Sequence, residues 1–522
     1  MSRNKIKKNL SEFCSALVKY YNLDLKIVPD KKFIDGKVTI TSLLLSKNDS
    51  IQIDLYQNLK IDSIILKEKK VNFKRVEGAV FIKLPESINS GDLFSLEINY
   101  SGKPREAKNP PWNGGTVWKK DKSGNVWAGV ACESDGASLW WPNKDDVADE
   151  ADSIDVYLTV PEKLNAISNG VCKETKLKEQ GTKRVHWHIS YPINNYNVTF
   201  YVGDYKLIED TFVSKQDQKV IKMSYYVLPK NYNIAKAHFQ QVKKHIEFYE
   251  KVFGNYPWPK DGFKLIESPY EGMEHQTAIA YGNKYKNGVD GFDYILLHET
   301  AHEWWGNSVT AADLSDVWLQ EGFATYSEAL FVEDTKGPEA YTEYMYWERL
   351  TIKNKLPVVR RQNLRFFSPS DEDVYMKGAW VLHTLRNTIN NDSVFFDILK
   401  TFRTENHLKQ IYSNTFIDLV NKKTKTDYNW FFKQYLYKRE APILEYCWTG
   451  GFFYYKWAET ENDFNRLPVK LEFGNISKTI YPNTELQKIK TDATFGKSVI
   501  FSDRECYFGN KLNLDLYYKA QD

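Results

Sequence analysis

The 522-residue chain carries 71 basic and 68 acidic side chains, a formal net charge of +3, with 42% hydrophobic and 27% charged residues. This balance excludes a disordered chain and offers no electrostatic footprint for nucleic acid or an anionic membrane surface. The length exceeds what one core holds, so about three domains are expected.

Five cysteines, Cys14, Cys132, Cys172, Cys447 and Cys506, form no CxxC pair and are odd in number. Neither a disulfide framework nor a cysteine zinc site is indicated. No apolar run approaches the roughly 18 residues of a membrane span. The basic N-terminus has its one apolar stretch broken by Glu12 and Lys19, so it lacks a secretory core. A cytoplasmic chain is expected, or a periplasmic or extracellular one if a signal was removed. The runs Lys5 to Lys8 and Lys422 to Lys425 read as solvated surface. An aromatic content of 15%, with 34 Tyr and 15 Trp, points to β-rich domains and aromatic-lined clefts.

From about Tyr21 to Tyr205 the pattern is β. KVTITSLLL (37–45), IQIDL (51–55), LFSLEINY (93–100) and SIDVYLTVP (153–161) alternate or cluster apolar residues between turn-formers. A β-sandwich-like domain is the simplest reading. AKAHFQQVKKHIEFYEKVFG (235–254) places Phe239, Val242, Ile246, Tyr249 and Phe253 at helical spacing and stops at Gly254. FKLIES (263–268) is a short strand. Helical patterns follow to about residue 440: DYILLHETAHEWWG, VWLQEGFATYSEALFVED, KGAWVLHTLRNTI, SVFFDILKTF, TFIDLVNKKT and NWFFKQYLY. After Ala441–Pro442, GFFYYKWAE, LPVKLEFG and GKSVIFSD are β-like again. No internal repeat is present.

The decisive segment is His298-Glu299-Thr300-Ala301-His302. On a helix, positions i and i+4 share a face, so two imidazoles can bind one Zn²⁺ at about 2.0–2.1 Å. Glu299 lies on the flank, in reach of a zinc-activated water without being a ligand. A tetrahedral catalytic site needs a third protein ligand and one open position. Glu321 stands in WLQEGFATYSEAL, a second helix whose Trp318, Leu319 and Phe323 can pack it against the first. The short connection favours antiparallel neighbours. Glu328, about two turns further along the same face, is placed to orient a histidine.

These residues resemble the gluzincin zinc aminopeptidases, the peptidase M-one group of aminopeptidase N and leukotriene hydrolase. His302 of HETAHEWWGNSVT is followed after eighteen residues by Glu321, the glutamate of WLQEGFATYSE. Three further segments are similar to family motifs, in the expected order. YEGMEHQ (270–276) resembles the exopeptidase motif, VYMKGAWVLHTLR (374–386) the catalytic-tyrosine stretch, and ACESDGASLWWPNKDD (131–146) the β-domain segment that enters the active site. The resemblance covers roughly residues 20 to 522.

It implies a multidomain α+β chain: an N-terminal β-sandwich-like domain over 1–205, a thermolysin-like, mainly α zinc catalytic domain over 206–440, and a small C-terminal β-domain over 441–522. The large C-terminal helical domain of bigger relatives is expected to be absent, leaving a more open cleft. It also implies one Zn²⁺ per chain, held by His298, His302 and Glu321, with Glu299 as general base and Tyr375 stabilising the oxyanion. Glu133 and Glu274 would hold the substrate's α-ammonium group, and the backbone at Gly272 and Met273 would line the peptide. The implied partners are peptides with a free N-terminus.

Two carboxylates around an amine act as a ruler, because an internal peptide bond would leave both unpaired. Three positions depart from the family pattern. Glu271 replaces a small residue, His275 replaces Asn, and Ala131 stands where relatives often have Gln, which would change the charge or width of the amine pocket. A thermolysin-like endopeptidase, a scaffold that has lost its chemistry, and added epoxide hydrolase activity are the competing readings. Glu274 and Glu133 argue against the first, and the complete zinc motif against the second. No motif encodes the preferred first residue or the oligomeric state.

Overall fold

The computed structural model describes residues 15–179, 181–360, 372–449, 451–473, 476–490 and 499–519. Lys5 to Lys8, Glu12, Cys14 and the first residues of GKSVIFSD (496–498) lie outside them. The described residues form two compact units, one of residues 15–314 with 408–410, the other of 315–360, 372–407 and 411 onward. In chain order the elements are β-rich, then helical, then β again.

The first unit opens with β1 (Ala16–Val28) and β2 (Phe33–Leu44), central in an eight-stranded sheet. The period-two pattern explains it: Tyr21, Leu23, Leu25 and Ile27 of β1 are buried, while the residues between them face outward. β2 continues antiparallel to β3 (Leu93–Gly102). A second sheet contains β4 (Val126–Ala131). On the other side of β1, β5 (Ser153–Pro161) pairs parallel to it. The WW pair of the 131–146 segment fills the core: Trp140 and Trp141 are fully buried, Trp141 edge-on to Tyr21 at 4.9 Å.

Beyond residue 205 comes a mixed five-stranded sheet of β6 (Lys206–Val213), β7 (Val220–Val227), β8 (Phe263–Glu267), β9 (Gly272–Met273) and β10 (Ile279–Tyr281). Its spatial order is β6-β7-β8-β10-β9, so the strand carrying the exopeptidase motif is an edge. The expected helix over 235–254 is two, α1 (Tyr232–His238) and α2 (Gln241–Phe253), broken where Phe239 turns into the core. α3 (Tyr294–Ala301) packs on α2, with Tyr249 Oη donating to the Leu297 carbonyl at 2.9 Å.

The second unit holds α4 (Trp318–Lys336), α5 (Pro338–Arg349), α6 (Met376–Ile389), α7 (Asp392–Glu405), α8 (Ser413–Thr424) and α9 (Asn429–Tyr435). α4 and α6 touch backbone to backbone: a Cβ on Gly322 would lie 2.9 Å from the Gly378 Cα and 3.1 Å from the Val374 carbonyl oxygen. Only glycine permits that approach. Below it Trp318, Phe323, Phe402 and Phe416 form an aromatic core, with Phe402 and Phe416 at 4.9 Å. The C-terminal sheets are tied to these helices by main-chain contacts, including Tyr435 Oη to the Tyr507 carbonyl at 2.6 Å. Among the described residues no helix is long and apolar enough to cross a membrane.

Candidate metal centre and amine-binding site

α3 starts at Asp293, whose carboxylate caps the backbone amides of Ile295 and Leu296. That carboxylate also accepts from Tyr281 Oη at 2.6 Å and pairs with His238 at 2.8 Å, so the helix start is fixed to β10 and α1. The helix ends at Ala301, short of the pattern that ran to Gly306. Two side chains take the chain out of the helix. His302 Nδ1 bonds the Trp305 carbonyl at 2.8 Å, and Trp304 Nε1 donates to the Gly254 carbonyl at 2.7 Å. The turn closes at Gly306, with φ of 105°.

The i, i+4 relation survives, because His302 N still bonds the His298 carbonyl at 3.3 Å. Both rings therefore share a face, and their Nε2 atoms stand 3.0 Å apart. His302 Nδ1 faces a carbonyl, which can only accept, so its proton sits there and Nε2 presents a lone pair. Two nitrogens about 2.05 Å from one tetrahedral ion are separated by roughly 3.3 Å. The donor set fits a zinc ion.

Three carboxylates join the histidines within the same unit. One oxygen each of Glu274 and Glu299 and a ring nitrogen of His302 lie within 4.8 Å of one another, and Glu133 brings an oxygen within 4.8 Å of Glu274. Glu274 and Glu299 are buried, at 4% and 7% exposure. Gly272 leaves room for the Glu299 carboxylate, which a Cβ at this position would displace. Met273 is buried in the same edge strand.

Glu274 is held from both ends. Its carboxylate accepts from Tyr196 Oη at 3.0 Å, and its carbonyl accepts from Asn307 Nδ2 at 2.9 Å. Asn197 bridges Asn307 Oδ1 and the Gln276 amide, and Glu303 accepts from the Thr277 amide at 3.0 Å. Thr277 sits at φ 57°, a left-handed conformation that a β-branched residue resists, so this loop is held by its neighbours. Burial pushes the Glu303 carboxyl up to about 8. Tyr196, Asn197, Glu303 and Asn307 are not among the candidates the sequence offers. No signal but the polar run NNYN marked the first two.

His275 is fully buried, with Nδ1 2.7 Å from Tyr201 Oη, and burial pushes its imidazole down to about 3. It is uncharged at neutral pH and adds no positive charge beside Glu274. Glu271 is half-buried and accepts from Tyr294 Oη at 3.1 Å.

The second unit carries the remaining candidates. Glu321, 2% exposed, lies in the first turn of α4, and Tyr375 is the half-buried residue preceding α6. Gly322 against Val374 and Gly378 puts their two turns side by side. Glu328 accepts from Tyr344 Oη at 2.6 Å.

Two family profiles match in chain order: "Peptidase M1 N-terminal domain" over residues 18–196 and "Peptidase family M1 domain" over 237–435. Endoplasmic reticulum aminopeptidase 1 of Mus musculus is 25% identical over 347 residues, 62% of this chain and 36% of its own. Puromycin-sensitive aminopeptidase of Caenorhabditis elegans is 26% identical over 338 residues, 60% of this chain and 34% of its own. The chain thus spans little more than a third of the length of these relatives. A mutant M1 zinc metallopeptidase from Deinococcus radiodurans, solved with a Tyr-Ser-Ala substrate, shares the fold: TM-score 0.70 at 20% identity, covering 83% of this chain and 99% of that one. With both profiles matched in order across its β-rich and helical parts, the chain belongs to peptidase family M1.

Proposed function

We propose that the chain is a zinc-dependent aminopeptidase that removes the N-terminal residue of peptides. One observation carries the reading: the buried carboxylate of Glu274 stands within 4.8 Å of the ring of His302 and of the Glu299 carboxylate. An acidic group that close to a metal-binding pair suits a cationic amine one residue from the bond to be cut.

In this reading His298, His302 and Glu321 hold one zinc ion. When bound, the ion polarises the scissile carbonyl and acidifies the attacking water. Glu299 takes the water's proton and delivers it to the leaving amine. Tyr375 donates its phenolic proton to the carbonyl oxygen as charge develops there. Glu274 and Glu133 hold the α-ammonium group, and Tyr196 and Asn307 keep Glu274 in place. The backbone of Gly272 and Met273, on a sheet edge, pairs with the extended peptide. Glu328, two turns on from Glu321 and held by Tyr344 Oη, orients a histidine of the pair. The division 1–205, 206–440 and 441–522 separates the amine-side β-domain, the zinc domain and a C-terminal β-domain.

The test is hydrolysis of aminoacyl-anilides, free and N-acetylated, with and without a zinc chelator. Chelator-sensitive cleavage of the free-amine compounds alone supports the reading. Equal cleavage of acetylated compounds would remove Glu133 and Glu274 from the amine site and favour an endopeptidase.

A further inference from the structure

A cavity of about 490 Å³ opens beside the motif strand, lined by Lys119 and Trp127 of the β-domain, by Tyr270 and Glu271, and by Lys284 and Lys286 of the loop after β10. Its place along the strand gives it meaning. Glu274 marks the amine, Gly272 lies against the Glu299 carboxylate, and Glu271, the next residue in the same direction, lines the cavity. Extended chain advances about 3.3 Å per residue. A peptide with its amine at Glu274 and its scissile bond at Glu299 therefore brings its second or third residue after the cut to this cavity.

The lining chemistry is cationic. None of the three lysines is in an ion pair among the described residues, and Lys119 Nζ spends one donor on the Pro269 carbonyl at 2.8 Å. Of the acids, Glu267 is committed to the Leu228 amide, Asn231 and Tyr285 Oη, and burial pushes its carboxyl up. Glu271 alone opposes three ammonium groups. Trp127 and Tyr270 supply an apolar wall.

The loop that presents two of the lysines is built under strain. Lys284 and Tyr285 sit at φ 56° and 58°, consecutive left-handed residues that are not glycine. They are held by Tyr285 N to Tyr281 Oη at 2.8 Å, and the loop is tied to the motif by Gly282 N to the Glu271 carbonyl at 2.6 Å. Gly282 is needed, because a Cβ would overlap the Tyr270 carbonyl. Strain retained at such a place accompanies function.

We propose that this cavity binds a peptide carboxylate on the C-terminal side of the scissile bond, through Lys119, Lys284 and Lys286. The inference rests on the aminopeptidase reading above and gives it a substrate class. These are short peptides whose terminal carboxylate, or an acidic side chain, falls two or three residues after the cut.

The experiment compares kcat/KM on tri- and tetrapeptides sharing one first residue, made as free acids, as C-terminal amides, and as amides with Asp at the third position. An aminoacyl-anilide, which ends before the cavity, reports the intact catalytic centre. The native chain is expected to favour the free acid or the Asp-bearing amide over the plain amide by about tenfold, mostly in KM. Which of the two is favoured separates a terminal from a side-chain carboxylate. The double variant Lys284→Ala/Lys286→Ala should erase the preference, and Lys284→Arg/Lys286→Arg should keep it, with anilide hydrolysis within about twofold in both. Equal turnover of acids and amides, or a preference that survives the double alanine variant, overturns the cavity proposal alone. A native chain that leaves the free anilide uncut overturns the aminopeptidase reading as well.

Discussion

His302, just past the end of α3, and His383, inside α6, are both buried histidines near tryptophans, yet their ring nitrogens are spent differently. His383 lies in α6 with its ring 4.7 Å from Trp380, its Nδ1 bonded to Tyr341 Oη at 2.6 Å and its Nε2 to the Arg504 carbonyl at 2.8 Å. Both nitrogens are satisfied by the protein, and the ring joins α5, α6 and the C-terminal β region. His302 gives Nδ1 to a carbonyl, its Nε2 faces His298 Nε2, and a ring nitrogen lies within 4.8 Å of two carboxylates. Burial is shared, so it does not distinguish a candidate ligand from a strut. Convergence of polar atoms does.

The sharpest separation of the two regions is by rate. Glu299→Gln should lower anilide kcat/KM by about a thousandfold with zinc content and melting temperature unchanged, whereas His383→Gln should leave kcat near normal. Zinc lost from Glu299→Gln would make that carboxylate a ligand and redraw the first region.

Tyr375→Phe should lower kcat by about a hundredfold with little change in KM, because the hydroxyl acts on charge absent from the ground state. A near-normal kcat would leave the α4–α6 crossing a purely structural feature, like the His383 contacts. Gly272→Ala should cost about tenfold in kcat by displacing Glu299, with metal retained, as read by activity and metal analysis on the same sample.

The effect that belongs to His383 is on stability and leaves the rate alone. Burial pushes its imidazole down to about 4, against about 6.5 in an unfolded chain. Below about pH 6.5 the unfolded chain takes up a proton that the folded one refuses until about pH 4. Stability therefore falls as pH drops through that window, by on the order of 3 kcal/mol for this group. Urea unfolding at pH 7, 6, 5 and 4 should show a shallower pH dependence for His383→Gln, although that variant is less stable at pH 7. An unchanged slope would mean that the ring is already charged in the fold.

Much of this was legible in the sequence because it is local. HExxH states its own geometry once it lies on a helix, since i and i+4 share a face whatever the rest of the chain does. The alternation in KVTITSLLL and SIDVYLTVP is local in the same way, and both segments form strands; the apolar stripe of 235–254 is helical too, though it forms two helices instead of one. The end of α3 was not legible, because it is set by the Trp304 and Trp305 contacts to α2 and to His302, which no propensity encodes. The grip on Glu274 was equally hidden: Tyr196, Asn197 and Asn307 come from the β-domain and from beyond the zinc helix.

The sequence by itself determined that His298 and His302 share one face with Glu299 between them, and it marked the family. Each is a spacing along one helix or a run of residues, and short-range backbone geometry converts spacing into position. Only the tertiary structure decided that Glu274 and Glu133 meet beside that pair, that a side chain at Gly272 would displace Glu299, and that three lysines, one from a strand of the β-domain and two from the loop after β10, share one cavity. Those relations are contacts between segments distant in the chain, fixed by sheet register and core packing, and periodicity carries no record of them.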